Sequence, residues 1–159
     1  LKPLINYLNN KIKKLNPIYL NFINKIINKN LKKIKNIPSL NKKYNISGGF
    51  LLEIVSVLKL NDKISPLYKN LDQNFIILGI ILKNIGLIDY FNDDLFYSIK
   101  NNCINTNILS ISIINECCYD KKYNEIKLKL HNLILSENDT NDVNIAYING
   151  LYKFNSLNI

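Results

Sequence analysis

Apolar side chains along this chain recur every three or four positions and almost nowhere alternate, so the pattern is one of helices. Leu4, Ile5, Leu8, Ile12 and Leu15 keep one face over residues 3–15, and Ile18, Phe22, Ile26 and Ile27 keep another over 17–37. Pro3 and Pro17 suit the first turn of each helix, and Pro38 closes the second because the residue before a proline avoids the helical basin. A polar connector is expected over 39–47, with Ser47 as N-cap of a helix that Gly48 and Gly49 open. Leu51, Ile54, Val55 and Leu58 give that helix its core face. Residues 61–74, with Pro66 among them, read as a loop in which Asp72 caps the next helix. The stretch 75–82 is apolar on nearly every side, as a central helix buried all round would be, and Gly86 is expected to mark its end. Further helices are expected over 108–118, 123–135 (with Leu128, Leu130 and Leu133 apolar) and 143–154, the last capped from Thr140, Asn141 and Asp142. The fold class is therefore all-α, a bundle of about seven to nine helices without repeats. Residues 1–47 form a basic helical layer on a core of 48–159, in one domain by length.

Composition sharpens the picture only in part. Ile, Leu, Asn and Lys dominate, and Arg, Met and Trp are absent, a mixture that AT-rich codons would produce. The lack of an initiator Met suggests a piece of a longer product. Charge is unevenly placed. Eleven lysines and no acid fall in residues 1–52, whereas residues 53–159 carry ten lysines and twelve acids. Candidate polyanion contacts are Lys11, Lys13, Lys14, Lys25 and Lys29, then Lys32, Lys33, Lys35, Lys42 and Lys43. RNA fits such a field; a solvated lysine face fits it equally. Without Arg there is no bidentate fork for guanine edges, which argues against base-specific DNA reading.

Cys103, Cys117 and Cys118 are odd in number and lack metal-ligand spacing, so buried thiols in a reducing intracellular compartment are expected. The run 75–82 is far short of a bilayer span, and no membrane insertion is expected. Adjacent Asp93 and Asp94 suit a helix N-terminus better than a carboxylate pair, since neighbours on a helix point different ways.

Five separated segments carry a resemblance. Gly48, Gly49, Leu51, Leu52 and Glu53, then Leu82, Ile85 and Gly86, then Leu109, then Leu135 and Ser136, then Tyr147 fall in the order of a known frame. From about residue 17 to 157 the chain resembles the HD domain of bacterial 3′-to-5′ exoribonucleases, in the metal-dependent HD phosphohydrolase superfamily. That resemblance implies an HD-like helical bundle. It also implies where ligands would stand, and there this chain departs. The first His pair of the family falls on Lys43 and Tyr44, the His after Leu-Leu-Glu on Ile54, and the His-Asp pair on Lys83 and Asn84. Later ligand positions fall on Ile111, on Glu137 and Asn138, and on Ala146 and Asn149, while Leu87 replaces a Lys. A divalent ion needs carboxylate or imidazole donors, which Ile and Ala cannot supply. The lone histidine, His131, matches no ligand position. The resemblance thus implies a lost metal site, no cofactor and no small-molecule substrate, with Lys83 and Glu137 either paired across the vacated pocket or both reaching solvent.

Three functions stay open. The first is a non-catalytic HD-like structural or RNA-contacting subunit of a larger assembly, such as an organellar or reduced-genome ribonucleoprotein. The second is a protein–protein module without nucleic acid. The third is a phosphohydrolase with unusual ligands drawn from Glu53, Asp89, Asp93, Asp94 and Glu137.

Overall fold

Helical periodicity becomes helices in the computed structural model, which describes residues 1–91, 105–136 and 140–157. Its α-helices are α1 (Lys2–Lys13), α2 (Pro17–Asn36), α3 (Gly49–Ile64), α4 (Gln73–Leu82), α5 (Leu87–Tyr90), α6 (Thr106–Cys117), α7 (Asn124–Leu135) and α8 (Val143–Ser156). Three 3-10 turns, at Lys42–Tyr44, Ser65–Leu67 and Lys121–Tyr123, join them, and no strand occurs among the described residues. The all-α bundle is thus observed, with seven helices of ten residues or more among the described residues and α5 as a single turn. None of these helices is long and apolar enough to cross a membrane.

The centre is α3 and α4. α4 buries Phe75, Ile76, Leu78, Ile80, Ile81 and Leu82, and only Ile77 and the first-turn Gln73 and Asn74 are partly exposed. It packs against α2, α3, α7 and α8, while α3 touches α1, α2, α4 and α8. Phe22, Ile23, Ile26, Ile27 and Ile34 of α2 belong to the same apolar cluster, so the lysine-bearing helix is anchored along its inner side. Full burial of one such side chain contributes about 1.5–3 kcal/mol.

Several local expectations meet different outcomes. Pro3 and Pro17 sit in the first turns, and Asp72 and Asp142 cap α4 and α8 through backbone N–H groups of Phe75 and of Asn144 and Ile145. Ser47 is not the N-cap of α3. Gly48 holds that place at φ +78°, which a side chain would strain, and the Ser47 hydroxyl donates to the Asn36 carbonyl instead. The loop begins later than residue 61, because the polar side chains that suggested it have partners within the bundle. Asn61, 2% exposed, donates to Gln73 and accepts from Tyr147, and Asp62 accepts from Tyr7 and Lys11. Ile18 and Leu128 point outward rather than into the core. Asp93, Asp94 and Cys103 lie outside the described residues.

Gly86 does not end α4 as a left-handed cap; its φ is −57°. Helix α4 stops at Leu82, and residues 83–86 turn into α5. At Gly86 the backbone passes so close to α6 that an added Cβ would stand 2.4 Å from the Thr106 carbonyl oxygen and 2.6 Å from the Ser110 nitrogen. The Gly86 N–H donates to the buried Ser110 hydroxyl at 2.8 Å. This contact fixes the turn that carries Lys83 and Asn84.

Candidate functional site

The turn after α4 opens onto a cleft of about 420 Å³. Glu53 of α3, Lys83 and Asn84 of the turn, Asn149, Tyr152 and Lys153 of α8, and the connector residues Asn41 and Ser136 line it. Residues 149, 152 and 153 share a helix face by their spacing of three and four. The Lys83 ammonium donates to Asn149 Oδ1 at 2.7 Å and lies 4.9 Å from the centre of the Tyr152 ring, a cation–π arrangement. Asn149 donates in turn to Ser136 Oγ at 3.1 Å, and the Ser136 hydroxyl donates to the Leu133 carbonyl at 2.8 Å. The Tyr152 hydroxyl donates to the Ile80 carbonyl, which ties the cleft wall to α4.

Glu53 closes the inner side. It is only 5% exposed and accepts from the Ser39 hydroxyl at 2.7 Å. Burial pushes its pKa up; the hydrogen bonds from Ser39 and Asn41 and the positive charge of Lys83 pull against that rise. For Lys83 burial lowers the pKa, and the Glu53 charge opposes the fall. Tyr152 is raised well above an ordinary phenol, first by burial and then by the Glu53 charge. Each charged group thus has neutral partners and feels the other across the cleft. No ion pair within 4.0 Å joins Glu53 to Lys83.

The positions that the HD resemblance assigns to ligands divide three ways. Lys83, Asn84 and Asn149 do come together, beside Glu53. Tyr44 is buried nearby and accepts from Asn155 at 3.0 Å, while exposed Lys43 donates to the Asn155 carbonyl at 3.3 Å. Ile54 faces the core, Ile111 is half-buried on α6, and Ala146 is exposed on α8, so none of these three lines the cleft. Glu137 and Asn138 lie outside the described residues, and with them the proposed Lys83–Glu137 pair. Of the other carboxylate candidates, Asp89 lies 3.9 Å from the Lys33 ammonium and does not line the cleft. Among the described residues no group of three His, Cys, Asp or Glu side chains is placed to hold a metal. His131 meets Asn115 at 3.1 Å, and burial and the Lys127 charge lower its pKa. Cys117 and Cys118 are free thiols; burial pushes Cys118 up to about 12, so it is not a ready thiolate.

The lysines of the N-terminal third separate as sharply. Lys11 is tied to Asp62, and Lys35 is half-buried. Lys13, Lys14, Lys42 and Lys43 are exposed at the ends and turns of the first helices. Lys25, Lys29, Lys32 and Lys33 are exposed along the outer side of α2, opposite its isoleucines. Nothing in chain order alone would add Lys122 to this set, yet it shares a groove with Lys25 and Lys29. Ser39 and Asn41 escaped sequence reading because they sit in a connector, and Ser136 entered it only as part of the resemblance; the spacing of Tyr152 from Asn149 was the usable signal.

No family model, no curated protein and no solved structure matches the chain.

Proposed function

We propose that this chain is a non-catalytic, HD-like helical protein that contacts RNA as a structural subunit of a larger assembly. The observation that carries the first half is the donor set of the cleft, where one carboxylate, Glu53, faces two lysines and three asparagines. A hydrolytic metal centre needs several anionic or imidazole donors around a divalent ion, and a lysine at Lys83 repels such an ion. The ammonium stands in for the positive charge, held by Asn149 and Tyr152. The second half is supported by the lysine row on α2, whose outer side carries no acid.

The test is retention of single-stranded RNA by the purified chain over a salt series. Binding that weakens steeply with salt is expected, since each phosphate contact on a single strand adds about 0.7 to the slope of log K against log salt. Absence of binding at low salt overturns the RNA contact, and RNA hydrolysis that survives repurification overturns the non-catalytic reading. A protein-docking role is favoured by one feature, the exposure of Leu128 and Leu135 two turns apart on α7.

A further inference from the structure

We infer that RNA enters at one groove, between α2 and the 121–123 turn, where Lys25, Lys29 and Lys122 hold successive phosphates of a single strand. This rests on the RNA-contacting reading above and narrows it, since most of the N-terminal lysines then make no direct contact. The groove, of about 450 Å³, is lined by Asn21, Asn24, Asn28 and these three lysines over a floor at Tyr123. No carboxylate lines it. Lys25 and Lys29 stand one turn apart on α2, about 6 Å along the axis, so both ammoniums reach the same side. Lys122 approaches from the opposite wall, its ammonium 5.2 Å from the centre of the Tyr123 ring. Lys127 on α7 does not line the groove, though its charge, like those of Lys25 and Lys29, reaches the buried Cys118 thiol.

Three of the other N-terminal lysines are engaged elsewhere. Lys11 is bound to Asp62, Lys33 lies against Asp89, and Lys43 bonds the Asn155 carbonyl. None of Lys25, Lys29 and Lys122 makes an ion pair among the described residues. Asp120, beside Lys122 in sequence, is occupied in capping the turn, where its carboxylate accepts from the Lys122 N–H at 3.1 Å. The asparagines between the lysines supply both donors and acceptors, which suits phosphate oxygens and ribose 2′-hydroxyls. Without a guanidinium fork the groove follows the backbone and reads little sequence.

The experiment compares the full chain, the triple variant Lys25→Gln, Lys29→Gln, Lys122→Gln, and an equally discharged control, Lys2→Gln, Lys14→Gln, Lys42→Gln. The control positions are exposed and lie outside the groove. Affinity for a short mixed-sequence single-stranded RNA is read across a salt series, with far-UV circular dichroism as a check on folding. Losing three contacts should lower the salt slope by about 2, whereas the control should move it by well under 1. Equal losses in both variants overturn the groove and leave the broader RNA reading intact. No binding by the unmodified chain ends both, and binding of polyglutamate in preference to RNA would identify an acidic protein partner and also overturn the proposal.

Discussion

Replacing Gly86 by alanine tests how the cleft-bearing turn is held. The new methyl would stand 2.4 Å from the Thr106 carbonyl oxygen, 2.6 Å from the Ser110 nitrogen and 2.7 Å from the Ser110 hydroxyl. Two of these atoms are backbone, so no rotamer change relieves the contact; α6 must move away. Overpacking of this kind costs about 1–3 kcal/mol. The movement also stretches the buried bond from the Gly86 N–H to Ser110, and losing such a bond costs about 1–3 kcal/mol. Alanine gains about 0.4–1 kcal/mol by restricting the unfolded chain, which is allowed because φ is −57°, but this is too small to offset the rest. A net loss of about 2–5 kcal/mol is a large share of the roughly 5–15 kcal/mol that holds an ordinary domain together. At about 2–4 °C per kcal/mol for a chain of this size, the melting temperature should fall by about 4–20 °C. Thermal and urea unfolding followed by circular dichroism reads it directly. Ser110→Ala should lose about 1–3 kcal/mol by leaving the Gly86 N–H without its acceptor, and the double variant should lose less than the sum because the two sites touch. A Gly86→Ala protein melting within about 2 °C of the parent would show that α5 and α6 do not approach as described.

Glu53 gives a pH prediction. Its folded pKa is raised, so above the usual glutamate value the folded chain still holds a proton that the unfolded chain has lost; stability therefore falls as pH rises through that window and levels off above it. Glu53→Gln keeps an acceptor for Ser39 and should flatten that part of the profile, as urea midpoints across pH would show; an unchanged slope contradicts the assignment. Tyr123 makes no hydrogen bond through its buried hydroxyl, while its ring packs edge-on against Phe22 with centroids 5.2 Å apart. Tyr123→Phe should therefore be neutral or stabilising by up to about 1–2 kcal/mol in urea unfolding, and a loss above 1 kcal/mol would mean that the hydroxyl has a partner.

Much of the architecture was legible because helical periodicity survives an AT-biased composition: the Phe22–Ile26 spacing and the unbroken run at 75–82 both report burial. Legibility failed where a polar residue was satisfied by something distant in sequence. Asn61 looks like a loop residue until Gln73 and Tyr147 are beside it, and Ser39 looks like linker until Glu53 is behind it. Charge counted along the chain pointed to the N-terminal third but not to Lys122 or Lys127, which only tertiary packing brings next to α2. The cleft was half legible. Lys83, Asn84 and Asn149 could be matched to one frame from sequence, whereas Ala146 and Ile111, matched to the same frame, line no part of it.

With Lys83 in it and Glu53 as its one carboxylate among the described residues, the cleft should take no divalent ion. Elemental analysis of the purified chain after equilibration with manganese, iron and magnesium and gel filtration tests it most directly. Far less than one ion per chain is expected, unchanged by Lys83→Gln; one tightly held ion per chain, lost on Glu53→Gln, would show a working metal site.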